Sequence, residues 1–116
     1  GYAPTLATGL QYRQATGDDY WVDEASSPNY NQWVNGKPAV SAEQMRRDDE
    51  LYSVGAVIEY NTAPVVAGRG SAIFFHVWSG PDLPTAGCVA VAAEHARRVL
   101  GWLDRKRCPV MVIVTP

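Results

Sequence analysis

Residues 71–91, "SAIFFHVWSGPDLPTAGCVAV", decide how this chain is read. An apolar run carries a histidine, a Gly/Pro-rich loop follows, and the loop closes on Gly87-Cys88. The run "SAIFFHVW" is predicted as a strand. Alternation puts Ala72, Phe74, His76 and Trp78 on one face and Ile73, Phe75 and Val77 on the other. Both faces are mostly apolar, as expected of a central strand covered on both sides. His76 and Cys88 stand twelve positions apart. A Gly- and Pro-dense loop of that length can return the chain to the strand end. Two readings fit: a core histidine beside a buried structural thiol, or a nucleophile with its base.

The second reading has definite requirements. A cysteine attacks as its thiolate, and an ordinary thiol is mostly protonated at neutral pH. An imidazole within hydrogen-bond reach takes that proton and later returns one to a leaving group. Its other ring nitrogen needs an orienting acceptor, often a backbone carbonyl. An attacked carbonyl needs donors where its oxyanion forms. Gly87 permits a tight turn, so that backbone N–H groups around Cys88 converge there. By this reasoning an enzyme is expected to hold its thiol below the free-thiol pKa, and a thiol that resists alkylation marks a non-catalytic module.

Working outward, "LYSVGAVIEYN" (51–61) is β-type. "AAEHARRVLGWLD" (92–104) is the best helix, with Ala92, Ala96, Val99, Leu100 and Leu103 on one stripe and His95 off it. "PVMVIVT" (109–115) is expected as a closing buried strand, with Cys108 a packed thiol before it. "SAEQMRRDDE" (41–50) carries a capping-box pattern, Ser41 with Gln44, and is expected as a short helix or turn. Residues 16–40, rich in Asn, Asp, Gly, Pro and aromatics, read as ordered but irregular. Asn61 reads as a turn residue. The class is mainly β, a β-rich α+β chain with one principal helix.

The 116 residues fit one domain, 1–116. No apolar stretch reaches the roughly 20 residues of a membrane span. A net charge of −2 argues against a nucleic-acid partner. Nine of the twelve acids lie at or before Glu59, and five of the ten basic residues fall between Arg97 and Arg107, which reads as a solvated helix end. Two cysteines make no disulfide framework, although a Cys88–Cys108 bridge can be drawn. Without HExxH, CxxC or a Cys/His cluster, no metal site and no cofactor is implied.

"GSAIFFHVWSGPDLPTAGCVAV" resembles the active-site region of the L,D-transpeptidase (YkuD-like) family of bacterial cell-wall enzymes. Thr85, Gly87, Cys88 and Val89 match that family's Ser/Thr-His-Gly-Cys-apolar signature in place, and His76 matches its upstream base. Ala86 departs, standing where most members have a histidine. Ala90 departs too, where Arg or Asn is usual. Together with "YWVDEASSPNYNQWV" and "EYN", these changes resemble a branch with a PTAGCVA-type motif, and the likeness spans about residues 11–115. Papain-like, caspase and sortase patterns fit worse in the order and spacing of Cys and His.

The resemblance implies a YkuD-like mixed β-sheet sandwich or barrel with its main helix after the cysteine. It implies Cys88 as nucleophile, His76 as base and acid, the Val77 carbonyl as orienting acceptor, and the Gly87 and Cys88 N–H groups as oxyanion donors. The substrate implied is the peptidoglycan stem tetrapeptide, acylated with release of D-Ala, in the bacterial cell envelope. An amine acceptor makes the enzyme a transpeptidase and water makes it an L,D-carboxypeptidase. A peptidoglycan-binding module that kept the fold is the non-catalytic alternative. Thr85, Ala86, Trp78 and Ser79 are expected at the mouth of the site. Arg13 or Arg69 is a candidate partner for a stem-peptide carboxylate in place of the residue absent at Ala90. Family members carry further N-terminal strands, so a preceding segment or second chain is expected to cover a sheet edge.

Overall fold

The computed structural model describes residues 1–114. It is mostly β, with two three-stranded sheets and one main helix. The first sheet has the order β2-β1-β3, from Asp19–Val22 (β1), Trp33–Asn35 (β2) and Ala42–Gln44 (β3). The second has the order β4-β5-β6, from Gly55–Val57 (β4), Phe74–Val77 (β5) and Val89–Val91 (β6). Helix α1, Ala93–Trp102, follows β6.

β5 is central in its sheet and buried at all four residues. Its alternation divides the core. Phe74 points to the first sheet, edge-on to Trp21 at 5.1 Å and to Tyr52 at 5.6 Å between ring centroids. Phe75 and Val77 point the other way, into a cluster with Val54, Ala96 and Leu100. The layers are therefore sheet, sheet, helix, with β5 as the shared wall. Ala96 and Leu100 lie on the stripe read from sequence and are fully buried, whereas His95 is exposed. No helix is long and apolar enough to cross a membrane among the described residues.

Asp19 anchors the first sheet. Its buried carboxylate accepts from Thr16 N (2.7 Å), Thr16 Oγ1 (2.9 Å), Trp33 Nε1 (2.8 Å) and Arg13 Nη2 (2.7 Å). Burial alone would push this carboxyl up. The donors from Trp33 and Thr16 outweigh it and hold the group well below the usual carboxylate range. Asn31 joins the two halves. Its Oδ1 accepts from Trp21 Nε1 (2.8 Å) and Ala72 N (3.0 Å), and its Nδ2 donates to the carbonyls of Tyr60 (3.1 Å) and Asn61 (2.8 Å). Every polar position of that buried amide is used.

Five sequence expectations need correction. The capping-box stretch is not a helix or turn: Ala42–Gln44 is strand β3, paired antiparallel with β1 through Trp21↔Glu43. The free edge of β1, with Trp21 and Val22 buried, outcompetes a local cap worth about 1 kcal/mol. Residues 109–114 of the expected closing strand form no strand and are exposed, with Val110 at 89% and Val112 at 82% exposure. Thr115 of that stretch lies outside the described residues. Cys108 is exposed in a left-handed turn (φ 47°) rather than packed, and both cysteines are free. The basic cluster is not a helix end, since the last turn of α1 carries no base. Arg105–Arg107 instead form a separate 3-10 turn capped by Asp104, whose carboxylate accepts from Lys106 N at 2.9 Å. Residues 16–40 also hold more regular structure than irregularity predicts, since β1 and β2 lie within them.

Candidate active site

β5 and β6 run parallel, paired Phe75↔Val89, His76↔Ala90 and Val77↔Val91. Parallel neighbours cannot be joined by a tight hairpin and need a crossover. Here residues 78–88 supply it as a Gly/Pro loop. Cys88 precedes Val89 and so comes beside Phe74, whose N–H lies 3.4 Å from Sγ. The period of two then puts Phe74 and His76 on the same face of the sheet as Cys88 and Ala90. His76 and Cys88 are diagonal neighbours on that face. Both line one cavity of about 330 Å³.

The ring of His76 is buried, and its Nδ1 lies 2.6 Å from the carbonyl oxygen of Val77. A carbonyl only accepts, so Nδ1 carries the hydrogen and Nε2 is the ring nitrogen not committed to the Val77 carbonyl. Tyr52 packs edge-on against the imidazole, 5.1 Å between centroids at 73°.

The Cys88 thiol donates to the carbonyl of Ala72 at 3.4 Å. Ala72 itself is left-handed (φ 55°), and its N–H is fixed by Asn31. Burial pushes the thiol above its ordinary pKa, the Phe74 N–H works against that, and the Glu43 carboxylate adds to the rise. The direction is opposite to the depressed thiol that sequence reasoning expects of an enzyme of this kind, so slow alkylation of the resting thiol does not separate an enzyme from a non-catalytic module here. Cys88 therefore rests as a thiol hydrogen-bonded to Ala72.

Gly87 has φ 134°, a conformation that only glycine adopts readily, and a Cβ there would come 3.1 Å from Ile73 Cδ1. Its N–H points at Thr85 Oγ1 (3.3 Å), and that hydroxyl donates to the Cys88 carbonyl at 2.6 Å. Thr85 thus ties the turn that presents the cysteine. Ala86, Trp78, Ser79 and Ala90 line the same cavity. Ala90, beside His76 in register, leaves room for it.

The two arginines lie elsewhere. Arg13 pairs with Asp19 and stacks over Trp33 at 4.3 Å, and neither it nor Arg69 belongs to the cavity lining. Sequence reasoning missed Glu43, Tyr52 and Asp23, all of which line the cavity. Glu43 was hidden in the stretch read as a helix or turn, and Tyr52 sits in the turn before β4. The pairing of β3 with β1 carries the only signal for Glu43, and it is non-local. Asn61 does organise a turn: its side chain bridges Val66 and Gly70.

Residues 3–113 match the family model described as YkuD, L,D-transpeptidase catalytic domain. Neither a curated protein nor a solved structure matches the chain significantly.

Proposed function

Because the chain belongs to the YkuD family of L,D-transpeptidase catalytic domains, we propose that it is a cysteine acyltransferase of peptidoglycan stem tetrapeptides, working in the bacterial cell envelope. The observation that carries the reading is the cavity shared by Cys88 and His76, with Nδ1 of that histidine already committed to the Val77 carbonyl.

The thiol starts protonated. As the Cys88 sulfur bonds to the carbonyl carbon that precedes the terminal D-Ala, its proton passes to His76 Nε2, so thiolate forms only during attack. The N–H groups of Gly87 and Cys88 hold the oxyanion. In the resting state Gly87 N–H makes only a long bond to Thr85, and a stronger acceptor can replace that contact. The carbon–nitrogen bond breaks, the His76 proton goes to the departing amine, and D-Ala leaves with a thioester on Cys88. An amine then attacks the thioester, gives its proton to His76 and leaves as the new amide while the thiol is restored. Trp78, Ser79 and Ala86 frame the mouth where the peptide lies.

Hydrolysis is the second reading, and Ala86 and Ala90 favour it. Both line the cavity and are small, so neither position supplies a polar side chain to orient an amine acceptor. Intact-protein mass spectrometry with purified tetrapeptide muropeptides, wild type beside Cys88→Ala, tests the proposal. An adduct of substrate minus D-Ala is expected in the wild type alone. Cross-linked product then indicates transpeptidation, and tripeptide indicates L,D-carboxypeptidase activity. Folded wild type that forms neither adduct nor free D-Ala would make the chain a binding module.

A further inference from the structure

His76 is held by one hydrogen bond, Nδ1 to Val77, and one such bond is a pivot. The plane of an imidazole is otherwise set by what packs against it, because its second torsion is broad. Here the neighbour is Tyr52, buried and edge-on to both His76 and Phe74. The Tyr52 phenol in turn donates to the Glu43 carboxylate. Glu43 lies on β3 of the first sheet and His76 on β5 of the second, so this contact joins the two sheets at the cavity.

An ion pair with Arg47 does not account for Glu43. Arg47 grips Asp49 with bonds of 3.0, 3.0 and 2.7 Å, whereas its nearest approach to Glu43 is 3.8 Å. Nor is the carboxylate neutral in effect, since a negative charge beside a nucleophilic thiol opposes thiolate formation. The other ionisable groups here are Arg47 and Asp49 after β3, Tyr52 itself, and Asp23 on the cavity wall. A charge kept at an electrostatically adverse place calls for a compensating role, and anchoring the phenol supplies it.

We propose that Glu43, acting through the Tyr52 phenol, is a positioning residue that fixes the plane of the His76 imidazole against Cys88. The proposal rests on the reading of His76 and Cys88 as the working pair, but its test uses no peptide. Nitrogen-15 NMR of the side chains would be recorded at neutral pH in a His95→Gln background, which leaves His76 as the single imidazole. The parent protein is expected to show two well-separated ring nitrogen shifts, those of a fixed Nδ1–H tautomer. Tyr52→Phe and Glu43→Ala release the phenol anchor; a ring free to turn away from the Val77 carbonyl loses the acceptor that fixes its tautomer, so the proton should exchange between Nδ1 and Nε2 and the two shifts should converge. Glu43→Gln keeps an acceptor for the phenol and should restore the separated pair. Parent-like shifts in Tyr52→Phe and Glu43→Ala, with thermal melts showing folded protein, would overturn the proposal. If Glu43→Ala fails to fold, Tyr52→Phe against Glu43→Gln still decides it. A protein that shows the expected ring behaviour yet never acylates would sink the proposed reaction and leave the positioning role standing.

Discussion

Cys88 is set by its neighbours more than by its own chemistry. The left-handed Ala72 turns its carbonyl toward the thiol, and Asn31 holds that backbone in place. A non-glycine residue in that region costs about 1 kcal/mol, the kind of strain that collects at working sites. Partial burial and the Glu43 charge then keep the sulfur protonated. Cys108, exposed on its turn, provides an internal comparison. With iodoacetamide near pH 7.5, Cys108 should be labelled first and Cys88 at least about tenfold more slowly. Raising the pH should narrow the gap, because the Cys88 thiolate appears only above the ordinary thiol range. Peptide mapping by mass reads both sites in one sample. Preferential labelling of Cys88 would mean a preformed thiolate–imidazolium pair, and the proton transfer during attack would have to be abandoned.

Elements of this fold are short, and their legibility follows from how much of their stabilisation is local. β5 and α1 could be read because alternation and a 3.6-residue stripe each run over several residues. The loop from His76 to Cys88 could be read because the two chemistry-bearing residues flank it. β3 could not: three residues show no period, and their fate depends on β1, about twenty residues earlier, having one edge that β2 leaves open. What makes β1 a dependable template is Asp19. Its folded pKa is depressed, so its contribution is fully present above the unfolded value of about 3.9 and fades as pH falls toward the folded value. Asp19→Asn keeps the shape but turns an amide NH2 toward donors from Thr16 and Trp33. At pH 7 the substitution should cost about 3 kcal/mol in urea unfolding. The difference from wild type should shrink as pH drops below about 4. An equal gap at pH 7 and pH 3 would mean that the charge at position 19 contributes nothing.

At the scale of the whole molecule the site is a product of layering. The first sheet brings Glu43, the second brings His76 and Cys88, and β5 passes core contacts to the helix on its far face. The mainly β class with one principal helix was legible from composition and pattern alone. The fate of 109–114 was not, because β-branched apolar residues state a preference for strand without stating that a partner strand is at hand. Val110, Val112, Ile113 and Val114 stand 89%, 82%, 58% and 80% exposed in a single run. Such a run, apolar, β-branched and uncharged, has the properties of an aggregation-prone segment. Light scattering across a concentration series should therefore show self-association that grows with protein concentration. Val112→Lys should suppress it while moving the melting temperature by no more than a degree or two, since an exposed side chain gives up little on replacement. A variant that melts several degrees lower would instead show that Val112 is packed in solution, and that this run finds a strand to join.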